Sequence, residues 1–85
     1  MGEKMLLAID MGNTNIVVAV FNQEELIYTW RIYTDTRRTG DEYASIIASF
    51  FREANLDISQ IDSCILSSVV PLLIGQFVGL IERLM

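Results

Sequence analysis

Asp10, Met11, Gly12, Asn13, Thr14 and Asn15 follow directly on an apolar run, Met5 to Ile9, and form the segment best equipped for chemistry. Gly12 allows the backbone a positive φ and a close approach to a ligand. Successive turn N–H groups can point at an anion, and Asn13, Thr14 and Asn15 add the amide and hydroxyl donors that phosphate oxygens accept. A carboxylate such as Asp10 beside a polyphosphate implies an intervening Mg²⁺, whose octahedral shell is mostly water and phosphate oxygen. One reading is therefore a nucleotide-phosphate hairpin. The other is a ligand-free turn, with Asp10 in an Asx-turn and Gly12-Asn13 closing a tight hairpin. Neither G-x-x-x-x-G-K-[ST] nor G-x-G-x-x-G occurs, so P-loop and Rossmann sites have no support.

Composition narrows the remaining chemistry. The chain has 85 residues, 52% of them apolar, which is too apolar for a disordered tail and too short for more than one domain, expected over 1–85. There is no histidine, which removes Ser-His and Cys-His catalysis and His-ligated zinc. The single cysteine, Cys64, lies in an apolar run and reads as a core thiol in a reducing compartment. Net charge is −5 and the five arginines are scattered, so no nucleic-acid-binding face is expected. No secretory signal is visible, and the expected location is cytoplasmic. Ser63 to Ile81 runs nineteen residues without a charge, the length of a membrane span, but its serines, Pro71, Gln76 and a change of period favour a strand followed by a helix, with no membrane partner.

The elements that must hold the Asp10 segment can be read from periodicity. Residues 5–10 and 15–22 are strand-length apolar runs joined as a hairpin. The second is apolar at both parities and is expected to be central and covered on both faces. A third strand, Glu25 to Tyr33, places Leu26, Tyr28, Trp30 and Ile32 on one face. The period then becomes helical: Tyr43, Ile46, Ile47, Phe50, Phe51 and Ala54 form a stripe, Thr39 and Glu42 a capping box, and Asn55 a left-handed stop. Residues 61–70 are a fourth strand, and Pro71 opens a second helix whose stripe stops at Met85 without a stop signal, as if cut short. The order β-β-β-α-β-α predicts two antiparallel hairpin pairings and a parallel fourth strand, hence an α/β fold with a mixed sheet.

Three blocks, L-A-I-D-M-G-N-T-N-I-V at 7–17, W-R-I-Y-T-D-T-R-R-T-G-D-E-Y at 30–43 and I-L-S-S-V-V-P at 65–71, resemble the type III pantothenate kinases of the acetate and sugar kinase/Hsp70/actin superfamily. The resemblance implies the N-terminal portion of an RNase H-like (actin-like ATPase) domain, truncated, with the second domain absent. It further implies transfer of phosphate from ATP to pantothenate, the first step of coenzyme A biosynthesis, by a cytoplasmic homodimer using Mg²⁺ and a monovalent cation, K⁺ or NH₄⁺. Asp10 corresponds to the metal-associated carboxylate, and Asp10, Met11, Gly12, Asn13, Thr14, Asn15, Ile16 and Val17 to the first ATP-phosphate-binding hairpin, Met11, Ile16 and Val17 through backbone alone. Leu72 stands where relatives usually carry a second proline. The family's Gly-Ala-Asp-Arg segment, which supplies the catalytic aspartate and pantothenate contacts, has no counterpart here, so the chain by itself is expected to be inactive. A transcriptional-activator-like accessory role on the same fold is the alternative.

Other residues admit two readings. Arg31, Arg37 and Arg38 are solvated surface charges or anion-steering groups. Tyr28, Trp30 and Tyr33 pack a core or stack on a base. Asp35 belongs to the turn before the first helix and Asp41 to its start. Ser67 and Ser68 end a strand where α/β sheets place ligands. Gly75 and Gly79 have the spacing of a close helix contact.

Overall fold

In the computed structural model, which describes residues 4–84, four strands and two α-helices follow in the expected order. They are β1 (Met5–Met11), β2 (Asn15–Asn22), β3 (Glu25–Tyr33), α1 (Gly40–Glu53), β4 (Ile61–Ser68) and α2 (Pro71–Leu84), with a 3₁₀ turn at Ile58–Gln60 before β4. Met85, where the helical stripe stops in the sequence, lies outside the described residues.

The sheet order is β3-β2-β1-β4. Both hairpin pairings are antiparallel and β4 runs parallel to β1, giving the mixed sheet that the long helical crossover requires. One face carries the core: Leu7, Ile9 and Met11 of β1 and Ile16, Val18 and Val20 of β2 are buried together with Tyr43, Ile47 and Phe51 of α1 and Leu73, Phe77 and Leu80 of α2. Both helices thus cover the same face of the sheet. The architecture is that of an RNase H-like half-domain.

Local signals explain the boundaries. Thr39 Oγ1 accepts from the Glu42 N–H, and Glu42 Oε1 accepts from the Thr39 N–H, closing the capping box. At the other end Asn55 adopts φ 56°, its N–H reaches the Arg52 carbonyl and the Leu56 N–H reaches the Phe51 carbonyl. These two bonds are a Schellman closure. The chargeless stretch from Ser63 to Ile81 is divided between β4 and α2, and no helix among the described residues is long and apolar enough to cross a membrane.

Four expectations need correction. Met11 is the last residue of β1 and fully buried, not part of the turn. β4 ends at Ser68 because the Ser68 hydroxyl takes the Val70 N–H in a local turn. The second face of β2, with Val17, Ala19 and Phe21, is half-buried because both helices lie on the other side. A register shift between Val20 and Phe21 sets Leu26 against Phe21, so Leu26 leaves the face shared by Tyr28, Trp30 and Ile32 and is 51% exposed. Trp30 packs on the helix side, stacked between Tyr28 at 5.4 Å and Phe50 at 5.1 Å, which leaves neither face of the indole for a base.

Candidate functional site

The Asp10–Val17 segment lies at the carboxyl ends of β1 and β4, which run parallel and end side by side with Met11 opposite Ser68. Its hairpin is closed by the Gly12 N–H donating to the Asn15 carbonyl at 2.9 Å. The bend at Asn13 and Thr14 is exposed, and the N–H groups of these two residues have no acceptor among the described residues. Gly12 does not carry the positive φ expected of it. Its lack of a side chain is used instead for proximity, since a Cβ there stands 3.1 Å from the Asn15 carbonyl oxygen.

Neighbouring residues divide by function. Met11 and Ile16 are paired and fully buried, so they offer a ligand nothing but backbone, and the Met11 carbonyl is already taken by the Val69 N–H at 3.0 Å. Val17 is paired with both Asp10 and Arg31. Asp10 is exposed and points away from the helices. Its row across the open face of the sheet reads Arg31, Val17, Asp10, Ser67 from β3 to β4. Ser67 therefore stands beside Asp10, whereas the Ser68 hydroxyl is engaged with Val70.

Of the three arginines near this end, the structure fixes two. Arg37 forms a fork with Asp35, Nε to Oδ1 at 3.0 Å and Nη2 to Oδ2 at 3.1 Å, and its backbone N–H also donates to Oδ1 at 2.9 Å. These bonds, the side-chain ones foremost, hold the Asp35 carboxyl down at about 2. Arg38 donates to the Tyr33 carbonyl at 3.0 Å and lies 5.7 Å over the Tyr43 ring. Arg31 alone is directed onto the open face, in the row of Asp10. Cys64 is half-buried against the core, and burial pushes its thiol up, away from the reactive thiolate.

Thr34, which sequence reasoning passed over, is bonded to the hairpin twice. Its Oγ1 donates to the Gly12 carbonyl at 2.8 Å, and its N–H donates to the Thr14 carbonyl at 2.8 Å. The next residue, Asp35, is tied through its backbone to the Tyr43 hydroxyl of α1. Thr34 lies in the second of the three sequence blocks, so the available signal was its place at the end of an alternating strand next to the hairpin.

No three potential metal ligands cluster among the described residues. A single exposed carboxylate with a hydroxyl beside it is a donor set that a Mg²⁺ held mainly by phosphates and water accepts, and Asp10 with Ser67 beside it fits that requirement.

Comparison with known proteins identifies the family. The family described as "Type III pantothenate kinase" matches residues 6–85. A type III pantothenate kinase of Geobacter sulfurreducens is 50% identical over 80 residues, which cover 94% of this chain and 30% of the relative. Those of Exiguobacterium sibiricum and Geotalea daltonii are 49% and 46% identical over 67 and 71 residues, covering 79% and 84% of this chain and 26% and 28% of the relatives. The chain thus spans under a third of the length of the curated relatives it matches. With a match running through nearly all of its residues, the chain belongs to the type III pantothenate kinase family.

Proposed function

We propose that the chain supplies the first phosphate-binding hairpin of an ATP-dependent pantothenate kinase. The observation that carries this reading is the placement, in one exposed bend at the carboxyl ends of two parallel strands, of two N–H groups without an acceptor among the described residues, next to the exposed Asp10 carboxylate. Ligands of open α/β sheets bind at that edge. Phosphoryl transfer is governed by positioning and charge neutralisation, which N–H donors and a cation supply without a protein nucleophile.

In this reading the Asn13 and Thr14 amides bind phosphate oxygens, and Asp10 holds Mg²⁺ through its carboxylate. The metal, when bound, neutralises charge on the nucleotide phosphates. Met11, Gly12, Asn15, Ile16 and Val17 shape the hairpin through backbone. The pantothenate substrate, a monovalent cation (K⁺ or NH₄⁺), a homodimeric state and a cytoplasmic location belong to the same proposal by family likeness.

Titration with MgADP, followed by calorimetry, tests the site. Binding by the parent chain and loss of it in Asp10→Ala and in Thr14→Ala is the expected result. Undiminished binding in both variants removes the hairpin from the nucleotide site.

A further inference from the structure

Thr34, the residue after β3, is bonded to the hairpin twice, and its two bonds have a directional consequence. A peptide unit is planar and trans, so its C=O and N–H point in opposite directions. The Gly12 carbonyl belongs to the same unit as the Asn13 N–H. With that carbonyl held toward β3 by Thr34 Oγ1 at 2.8 Å, the Asn13 N–H is turned away from β3. The Thr14 carbonyl, which shares its unit with the Asn15 N–H, is held by the Thr34 N–H at 2.8 Å and anchors the second arm of the bend.

We infer that Thr34 is a positioning residue of the phosphate-binding hairpin. Its hydroxyl occupies the Gly12 carbonyl while its amide anchors the Thr14 carbonyl, and so the Gly12–Asn13 peptide presents the Asn13 N–H, rather than a carbonyl oxygen, to an anion. This rests on the phosphate-binding reading of the Asp10–Val17 segment. Without the hydroxyl, the Gly12–Asn13 peptide is free to rotate, and a free carbonyl oxygen in the loop repels phosphate. The strand pairing, which uses only the Thr34 backbone, does not depend on the hydroxyl.

The test is MgADP affinity and the amide NMR spectrum of the 85-residue chain in three forms: parent, Thr34→Val and Thr34→Ser. Valine keeps the branched shape and removes the hydroxyl; serine keeps the hydroxyl. The expected result is about tenfold weaker MgADP binding in Thr34→Val and a loss of no more than about twofold in Thr34→Ser, the size of one net hydrogen bond. The Asn13 amide resonance moves in the valine form while those of α1 stay in place. Equal affinity in parent and valine forms, or a serine form as weak as the valine one, overturns the role of Thr34 and leaves the nucleotide site standing. A parent chain that does not bind MgADP overturns the nucleotide reading itself, and the Thr34 role with it.

Discussion

The Tyr43 hydroxyl clasps the backbone of Asp35 from both sides, donating to its carbonyl at 2.7 Å and accepting from its N–H at 3.1 Å. Tyr43 is fully buried in α1 with Phe77 of α2 at 4.9 Å, so the segment after β3 is anchored to the helical layer by one side chain. Tyr43→Phe keeps the ring contact and removes both bonds. A loss of about 1–2 kcal/mol in urea unfolding is expected, because an Asp35 backbone group is left without its partner. Stability equal to that of the parent shows that solvent replaces the clasp.

Asp35 also contributes to the response to acid. Its carboxyl is held at about 2, below the ordinary 3.8, by its hydrogen bonds from Arg37. A carboxyl depressed in the folded state contributes stability that is complete above its unfolded value and is lost as pH falls toward the folded one. The window is therefore from about 3.8 down to about 2. Arg37→Ala is expected to return the Asp35 carboxyl to the ordinary range in an NMR titration and to flatten the fall of melting temperature across that window. A titration of Asp35 unchanged by Arg37→Ala contradicts this account.

Much of this frame was legible in the residues. Thr39 with Glu42, Asn55 and Pro71 each carry a local physical reason to start or stop a helix, and each does so. The parallel sense of β4 followed from the length of the crossover, whereas its place beside β1 is set by the tertiary fold. The 3₁₀ turn has a readable signal too, because Asp57 and Gln60 form a second capping box. What escaped depended on tertiary register. An unbroken hairpin from the Asn22–Glu25 pair sets Thr34 against Asn13; the single shift between Val20 and Phe21 sets it against Thr14 and turns Leu26 over. No local pattern in 20–28 announces that bulge. Gly12 was legible as a site of close approach but not of positive φ, because the Gly12–Asn15 pairing that crowds it forms only once the hairpin does.

The first capping box admits a coupling measurement. The Thr39 side chain satisfies the Glu42 N–H at 3.2 Å and the Glu42 side chain the Thr39 N–H at 2.8 Å. Thr39→Ala is expected to cost about 1 kcal/mol, a fall of about 4–8 °C in melting temperature for a domain of this size. Glu42→Ala alone costs less, and the double variant falls short of the sum, because each side chain orders the other. Strict additivity of the two substitutions, by thermal or urea melts, rules out a reciprocal box.

Glycine contrasts sharply among the helices. A Cβ on Gly40 stands 3.0 Å from the Gln76 carbonyl oxygen and 3.0 Å from its Oε1, which itself accepts from the Gly40 N–H at 2.8 Å. Gly40 is thus where α1 and α2 approach, the role that spacing suggested for Gly75 and Gly79. Those two meet nothing within 4 Å. Gly40→Ala requires the Gln76 carbonyl and side chain to give by a few tenths of an ångström and is expected to destabilise by about 1–3 kcal/mol. Gly75→Ala and Gly79→Ala add no clash, and each gains about 0.5–1 kcal/mol from the higher helix propensity of alanine. Melting curves of the three single variants decide the matter: a stabilised Gly40→Ala chain, or destabilised Gly75→Ala and Gly79→Ala chains, contradicts this packing of the two helices.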